Sequence, residues 1–279
     1  MVTTVVFYLT LLLFSSGTAK ECVCGVENVA PRIINGHESI PGQFPWIVYI
    51  LNRELMMSCT GTILSDRHII TSAHCLSPRQ DPGKLFVFTN QGCGKADLFA
   101  GKQLKVKAAF RHVDYITRTG GSDIAILILQ RSLKFNSTFM PICLSMNRTI
   151  EHENSLIVAG WGNSNQGYTI IDNDCLNEAD IDPVPNYICR LHYGTYLDIE
   201  KIMCAGGVSN ICHGDSGGPL MGRKDGLVYL IGITSFGRTD CGVATEQPSG
   251  FERVSAHIEW LIARSLSGHL CFPQRMNRL

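Results

Sequence analysis

Twelve cysteines in a chain of 279 residues constrain the fold more than any other feature. Their even number matters because the chain opens with an export signal. Val5 to Phe14 read VVFYLTLLLF, and the small residues that follow include Gly17-Thr18-Ala19, a cleavage signal before Lys20. The apolar run is too short to span a bilayer, and no later segment is long enough. Residues 1–19 are therefore expected to be a signal peptide, the protein to be secreted and extracellular, and the cysteines to be disulfide-bonded. Zinc is the competing use of cysteine. Cys22-Val23-Cys24 has a single intervening residue and no paired C-x-x-C knuckles occur, so no zinc site is expected. Asn136-Ser137-Thr138 and Asn147-Arg148-Thr149 are glycosylation acceptors.

The 24 basic and 24 acidic side chains cancel. A neutral chain lacks the field of a nucleic-acid binder or of a polybasic membrane surface, so neither partner is expected. Hydrophobic content of 45% suits a sizeable core, and the length allows one large all-β domain or two small ones. Trp46 to Leu51, Gly61 to Leu64, Leu85 to Phe88, Ile124 to Leu129, Ser155 to Ala159 and Leu227 to Ile233 are strand-length apolar runs. Gly, Pro, Asn or Asp usually separates them, as in an all-β sandwich or barrel. One helix is expected, at the end of the chain. Val254, Ile258, Leu261 and Ile262 fall at i, i+4, i+7 and i+8, an apolar face that would pack on the β core.

Three short stretches carry chemistry. Thr71-Ser72-Ala73-His74-Cys75 follows the apolar pair Ile69-Ile70. Ser122-Asp123 precedes the run Ile124 to Leu127. Ile211 to Leu220 read ICHGDSGGPL and set Ser216 among glycines. A serine hydroxyl is a poor nucleophile at neutral pH and needs a base; imidazole suits that role. The imidazole needs a buried carboxylate to fix its tautomer and stabilise its cation. Each residue alone is weak evidence, since a histidine is usually structural, an aspartate before a strand is usually a turn, and a Gly-Ser-Gly run is usually a loop. Their occurrence together, in the order His, Asp, Ser, is what points to nucleophilic catalysis.

With TSAHC, SDIAIL and GDSGGPL in one chain, the sequence resembles the secreted trypsin/chymotrypsin-like serine proteases from Arg32 to about Ala263. The resemblance implies two six-stranded antiparallel β-barrels with the active site between them and a C-terminal α-helix, over residues 33–279. It implies that Ser216 attacks the scissile carbonyl, that His74 is base and then acid, and that Asp123 orients His74. Ser235 matches the serine that hydrogen-bonds the aspartate. Backbone N–H groups of Gly214 and Ser216 would form the oxyanion hole. Pro31-Arg32-Ile33-Ile34-Asn35-Gly36 resembles the family's activation junction, with residues 20–32 as pro-segment. Cleavage after Arg32 by a trypsin-like activating protease would free the amino group of Ile33 to pair with Asp215. Substrates would be proteins or peptides. Protein inhibitors are expected partners, the chain would be a monomer, and no cofactor or metal is implied. Gln91 to Gly101, which holds calcium in some relatives, offers only Asp97 as a carboxylate.

The resemblance also implies the disulfides Cys59–Cys75, Cys189–Cys204, Cys212–Cys241 and Cys24–Cys143. On that fold Cys93 and Cys175 fall in neighbouring loops and are paired. Cys22 and Cys271 then remain, with a link from Cys22 to another chain as the alternative. CVCG before the junction, with an additional loop disulfide, looks most like secreted arthropod proteases.

The substrate pocket departs from the tryptic pattern. Asn210 stands where trypsin-like members carry the aspartate that binds Arg or Lys. Asparagine has nearly the same shape and no charge. Gly237 leaves the pocket mouth open, Ser249 reduces depth, Ile211 adds apolar lining, and Phe236 stands where tryptophan is commoner. A neutral P1 residue, apolar, aromatic or polar, is expected; Asp240 near the rim could restore some basic preference. Two further readings stay open: a narrow regulator that cuts one protein partner, and a non-catalytic binding protein on the same fold.

Overall fold

Short strands with one or both faces apolar build two β-barrels, and a loop of each meets the other at the candidate site. The computed structural model describes residues 23–28, 37–40, 42–89, 101–116, 121–146, 148–152, 155–162, 175–207, 211–237, 247–265 and 270–273. The signal peptide, Cys22, Arg32, Ile33, Cys93, Asp97, Asn147, Asn210, Asp240 and Cys241 lie outside these residues.

After a two-residue strand β1 (His37–Glu38), the first barrel comprises β2 (Ile47–Asn52), β3 (Met57–Ile63), β4 (His68–Thr71), β5 (Leu85–Phe88), β6 (Gln103–Leu104), β7 (Val106–Arg111) and β8 (Ala125–Leu129). Their order is β6-β5-β2-β3-β4-β8-β7. The second comprises β9 (Cys143–Leu144), β10 (Leu156–Gly160), β11 (Asn177–Val184), β12 (Ile202–Gly206), β13 (Pro219–Lys224), β14 (Leu227–Phe236) and β15 (Ser249–Arg253). Here β11-β10-β13-β14-β15-β12 form a ring that the β11–β12 pairing closes, with β1 added on β11 and β9 parallel to β14. A closed ring has no exposed edge, which is how antiparallel sheets avoid pairing with other chains.

The expected runs coincide with β2, β3, β5, β8, β10 and β14 to within a few residues. β11 (NEADIDPV) was not expected, because its polar composition hides it: only Ile181 of its eight residues is buried. A second helix was also not expected. This α1 (Asn186–Tyr193) begins after Pro185 and ends at Gly194, whose φ of 90° stops it. The terminal helix α2 (Ile258–Arg264) is preceded by a 3-10 turn, Val254–His257. Val254, Ile258 and Leu261 are buried as expected, whereas Ile262 is 47% exposed. The 3-10 turn has three residues per turn, so the i+8 position counted from Val254 falls off the buried stripe.

One hydrophobic core runs through both barrels, from Trp46, Ile50, Ile70 and Ile126 to Ile157, Met221, Ile233 and Leu261. Disulfides join Cys24–Cys143, Cys59–Cys75 and Cys189–Cys204, the same pairs the family resemblance implies. Cys175, Cys212 and Cys271 are also disulfide-bonded, with partners outside the described residues. Residues 23–28 lie against the second barrel. Beyond the Cys24 bond, the Gly25 N–H donates to the Pro141 carbonyl and the Gly25 carbonyl accepts the Val228 N–H, and the Arg223 guanidinium forks onto Glu27 at 2.7 and 2.9 Å. Asn136 is exposed in a turn where its Oδ1 accepts the N–H groups of Thr138 and Phe139. Among the described residues no helix is long and apolar enough to cross a membrane.

Candidate active site

His74 sits in the 3-10 turn Ala73–Cys75, directly after β4. Asp123 sits just before β8, the strand that pairs with β4. Antiparallel pairing of Thr71 with Ala125 therefore brings two residues 49 apart in sequence side by side. His74 Nδ1 lies 2.7 Å from Asp123 Oδ2, and the His74 backbone N–H donates to Oδ1 at 2.9 Å. From the second barrel the Ser235 hydroxyl donates to Oδ2 at 2.5 Å. A carboxylate can only accept, so Nδ1 carries the proton and Nε2 presents its lone pair. That Nε2 is buried and has no hydrogen-bond partner among the described residues.

Asp123 is fully buried, and burial alone would push its carboxyl up. The hydrogen bond and charge of His74, with the Ser235 and backbone donors, outweigh burial and hold it below the ordinary aspartate range.

Ser216 occupies the loop between β12 and β13. Its carbonyl accepts the Thr60 N–H at 2.8 Å and lies 3.8 Å from Cys75 Sγ, so the loop abuts the turn that carries His74. Gly214 has a φ of 102° and Gly217 one of 80°, both in the left-handed region that a side chain disfavours. A Cβ at Gly217 would fall 2.0 Å from Thr71 Oγ1. Between them, Asp215 accepts the N–H groups of Gly162 at 2.7 Å and Cys212 at 2.8 Å. Burial pushes its carboxyl up to about 6 against these two donors. No cation among the described residues is paired with it.

Ile211, Gly237 and Ser249 converge. A Cβ on Gly237 would lie 3.0 Å from Ile211 Cγ1 and 3.1 Å from Ser249 Oγ. Phe236 is 9% exposed; its ring lies over Gly250 and meets Tyr193 edge-on at 4.8 Å. Cys59, Cys75 and His74 form the one group of potential metal ligands among the described residues, but the two sulfurs are committed to a disulfide.

Two residues at the site were not singled out from the sequence. Thr60, fully buried on β3, donates its hydroxyl to the Gly214 carbonyl at 2.9 Å. Glu252, fully buried on β15, accepts the backbone N–H groups of both Ser122 and Asp123. The available signal for Glu252 was a charge inside the strand-like run SGFERV.

A family model described as Trypsin matches residues 33–261. Melanization protease 1 of Drosophila melanogaster is 29% identical over 270 residues, covering 85% of this chain and 66% of that protein. Coagulation factor XI of Bos taurus is 29% identical over 259 residues, covering 87% of this chain and 40% of that protein. The chain thus spans just under two thirds and two fifths of the lengths of these relatives. Equal identity to an insect and a mammalian protein gives no support to an arthropod branch.

Proposed function

The chain belongs to the trypsin family of serine proteases, and from that premise we propose that it is a secreted serine endopeptidase, made as a zymogen, cleaved after Arg32 and selective for a neutral P1 residue. The observation that carries the catalytic part is the buried Asp123 carboxylate, which holds the His74 Nδ1–H and leaves Nε2 buried with no partner among the described residues, on the turn whose Cys75 abuts the Ser216 carbonyl. In this reading Nε2 takes the Ser216 proton as Oγ attacks the carbonyl, and Asp123 stabilises the resulting imidazolium. The tetrahedral oxyanion is met by the N–H groups of Gly214 and Ser216. His74 then protonates the leaving amine, and water releases the acyl group by the reverse sequence.

The zymogen reading draws support from Asp215, a partly buried residue whose carboxylate has two backbone donors and no described cation. A new ammonium at Ile33 would supply one, and pairing would order the Gly214–Ser216 backbone. Neutral P1 selectivity rests on Asn210, with Ile211, Gly237 and Ser249 converging on one neighbourhood. Because such an enzyme would not cut efficiently after its own Arg32, a separate trypsin-like activator is required.

The test is controlled cleavage at Arg32, followed by fluorophosphonate labelling and profiling on a P1 library. Labelling at Ser216, absent in Ser216→Ala, with cleavage after neutral residues is the expected result. A cleaved protein neither labelled nor active on a broad library would overturn the enzyme reading. Dominant Arg or Lys at P1 would overturn the specificity alone. A second reading, a narrow regulatory protease, is favoured by the names of the two relatives, one of melanization and one of coagulation. Hydrolysis of bulk casein separates the two.

A further inference from the structure

We propose that Glu252 is a positioning residue for Asp123, and that His257 is the partner that holds it in that role; this rests on the catalytic assignment of Asp123 above. Glu252 lies on β15, where it faces Ile202 of β12 and Ile233 of β14, and its exposure is zero. A carboxylate buried in a barrel wall is unfavourable unless its lone pairs are met. Here they are met by the backbone that carries the catalytic carboxylate. Oε1 accepts the Ser122 N–H at 2.7 Å and Oε2 accepts the Asp123 N–H at 3.0 Å. His257 Nε2 lies 2.5 Å from Oε1, and its imidazole side chain is 3% exposed. That ring meets His112 edge-on at 5.0 Å, and His112 lies against Trp260. A buried carboxylate–imidazole pair thus stands directly behind the Asp123–His74 pair.

Ser122 supplies an independent observation. Its φ is 61°, a left-handed conformation that a residue with a side chain rarely adopts. Such a conformation persists only where the surroundings over-determine it. Two hydrogen bonds from consecutive N–H groups into one carboxylate fix the orientation of both peptide planes. With those planes set, the Asp123 side chain leaves the backbone in the direction that meets both His74 donors. Without them the turn is free to relax, and Asp123 Oδ2 moves off the His74 Nδ1–H.

The effect is specific to the transition state, where His74 is positively charged, so it falls on kcat and not on substrate binding. A displacement of about 1 Å at a reacting group can lower a rate by about a hundredfold. In Glu252→Gln one of the two N–H groups faces an amide NH2 and loses its acceptor. Full-length chain, cleaved after Arg32 and counted by fluorophosphonate titration, should show kcat lowered about ten- to hundredfold with KM within about twofold. The acid limb of its kcat/KM profile should move to lower pH, because His74 loses support for its cation. His257→Gln keeps an N–H donor toward Glu252 and should stay close to wild type, whereas His257→Leu should follow Glu252→Gln.

A merely structural role would lower the melting temperature and leave kcat per titrated site and the pH limb unchanged; that result overturns the proposal. Should Glu252→Gln fail to fold, the His257 pair decides, since equal kinetics for Gln and Leu also overturn it. A wild-type enzyme that is cleaved but neither labelled nor active would instead defeat the catalytic assignment itself.

Discussion

Asp123, just before β8 of the first barrel, and Asp215, in the loop before β13 of the second, are the two aspartates of the candidate site, and their carboxyls are displaced in opposite directions. Asp123 receives an imidazole N–H, a hydroxyl and a backbone N–H, and these hold it below the ordinary range. Asp215 receives two backbone N–H groups, and burial still pushes it up to about 6. Burial acts on both; a partner able to carry positive charge stands beside Asp123 alone among the described residues. The His74 side of the cleft therefore holds its charge arrangement with the residues described. The Ser216 side holds a carboxylate whose ionised form lacks a counter-charge among the described residues. A protein that must not cleave before activation needs one side conditional, and the proposed insertion of Ile33 acts on the side that is unfinished.

The largest effect that tests this contrast is Asp123→Asn. On the proposed reading it keeps the packing and inverts the hydrogen-bond demand on His74 Nδ1, so kcat should fall by about ten-thousandfold. A loss of only tenfold would mean that His74 is oriented by something else. Next is Asp215→Asn in the cleaved chain, which on the proposed reading removes the acceptor of the Ile33 ammonium. Disordering one oxyanion donor lowers kcat by about a hundred- to thousandfold, and that loss is expected here.

The same substitution should act differently before cleavage. The folded-state value near 6 lies above the ordinary 3.8, so the folded uncleaved chain holds the Asp215 proton more tightly than the unfolded chain. Its contribution is fully present below about pH 4 and is lost as pH rises to about 6. Thermal melts of the uncleaved chain should therefore lose stability over that window more than those of uncleaved Asp215→Asn. The cleaved wild type should not show this loss. Identical pH dependence in all three would break the contrast between the two aspartates.

The residues of the site were not equally legible in the sequence, and the difference does not follow the two sides. His74, Asp123 and Ser216 each sit in a short contiguous string whose chemistry can be read locally. Ser235 can be found only through the family pattern, yet it too sits in a contiguous motif, Ser235-Phe236-Gly237. Glu252 and Thr60 could not be read in this way. Glu252 acts on Ser122, 130 positions away, and Thr60 on Gly214, 154 positions away. Their roles exist only once β15 and β3 are placed, and no local string encodes that placement. The fold shows the same division. β8 and β10 are buried on both faces and read as unbroken apolar runs, AILIL and LIVAG. β11 pairs with three strands, and its ladder satisfies the backbone while most of its side chains stay partly exposed. Backbone pairing leaves no mark on composition, so that strand was invisible.

Thr60 offers the smallest and most discriminating test, because it belongs to the first barrel and braces the second. Its N–H donates to the Ser216 carbonyl, its hydroxyl to the Gly214 carbonyl, and its own carbonyl accepts the Thr71 hydroxyl. The Gly214 carbonyl belongs to the peptide that joins Gly214 to Asp215, so this hydroxyl ties the Gly214–Ser216 loop to the first barrel. Thr60→Val keeps the shape and the strand preference and removes that one donor. A buried carbonyl left unpaired costs about 1 kcal/mol, which converts to about fivefold in rate if the loss falls on the oxyanion hole. Binding of a peptidyl boronate, which mimics the tetrahedral state, should weaken by the same factor while a product peptide binds unchanged. Thr60→Ser should restore both. Equal weakening for boronate and product would place the hydroxyl in general loop order instead. The Ser216 side would then depend on Asp215 alone, and the contrast between the two halves would be sharper than the hydrogen bonds across the cleft suggest.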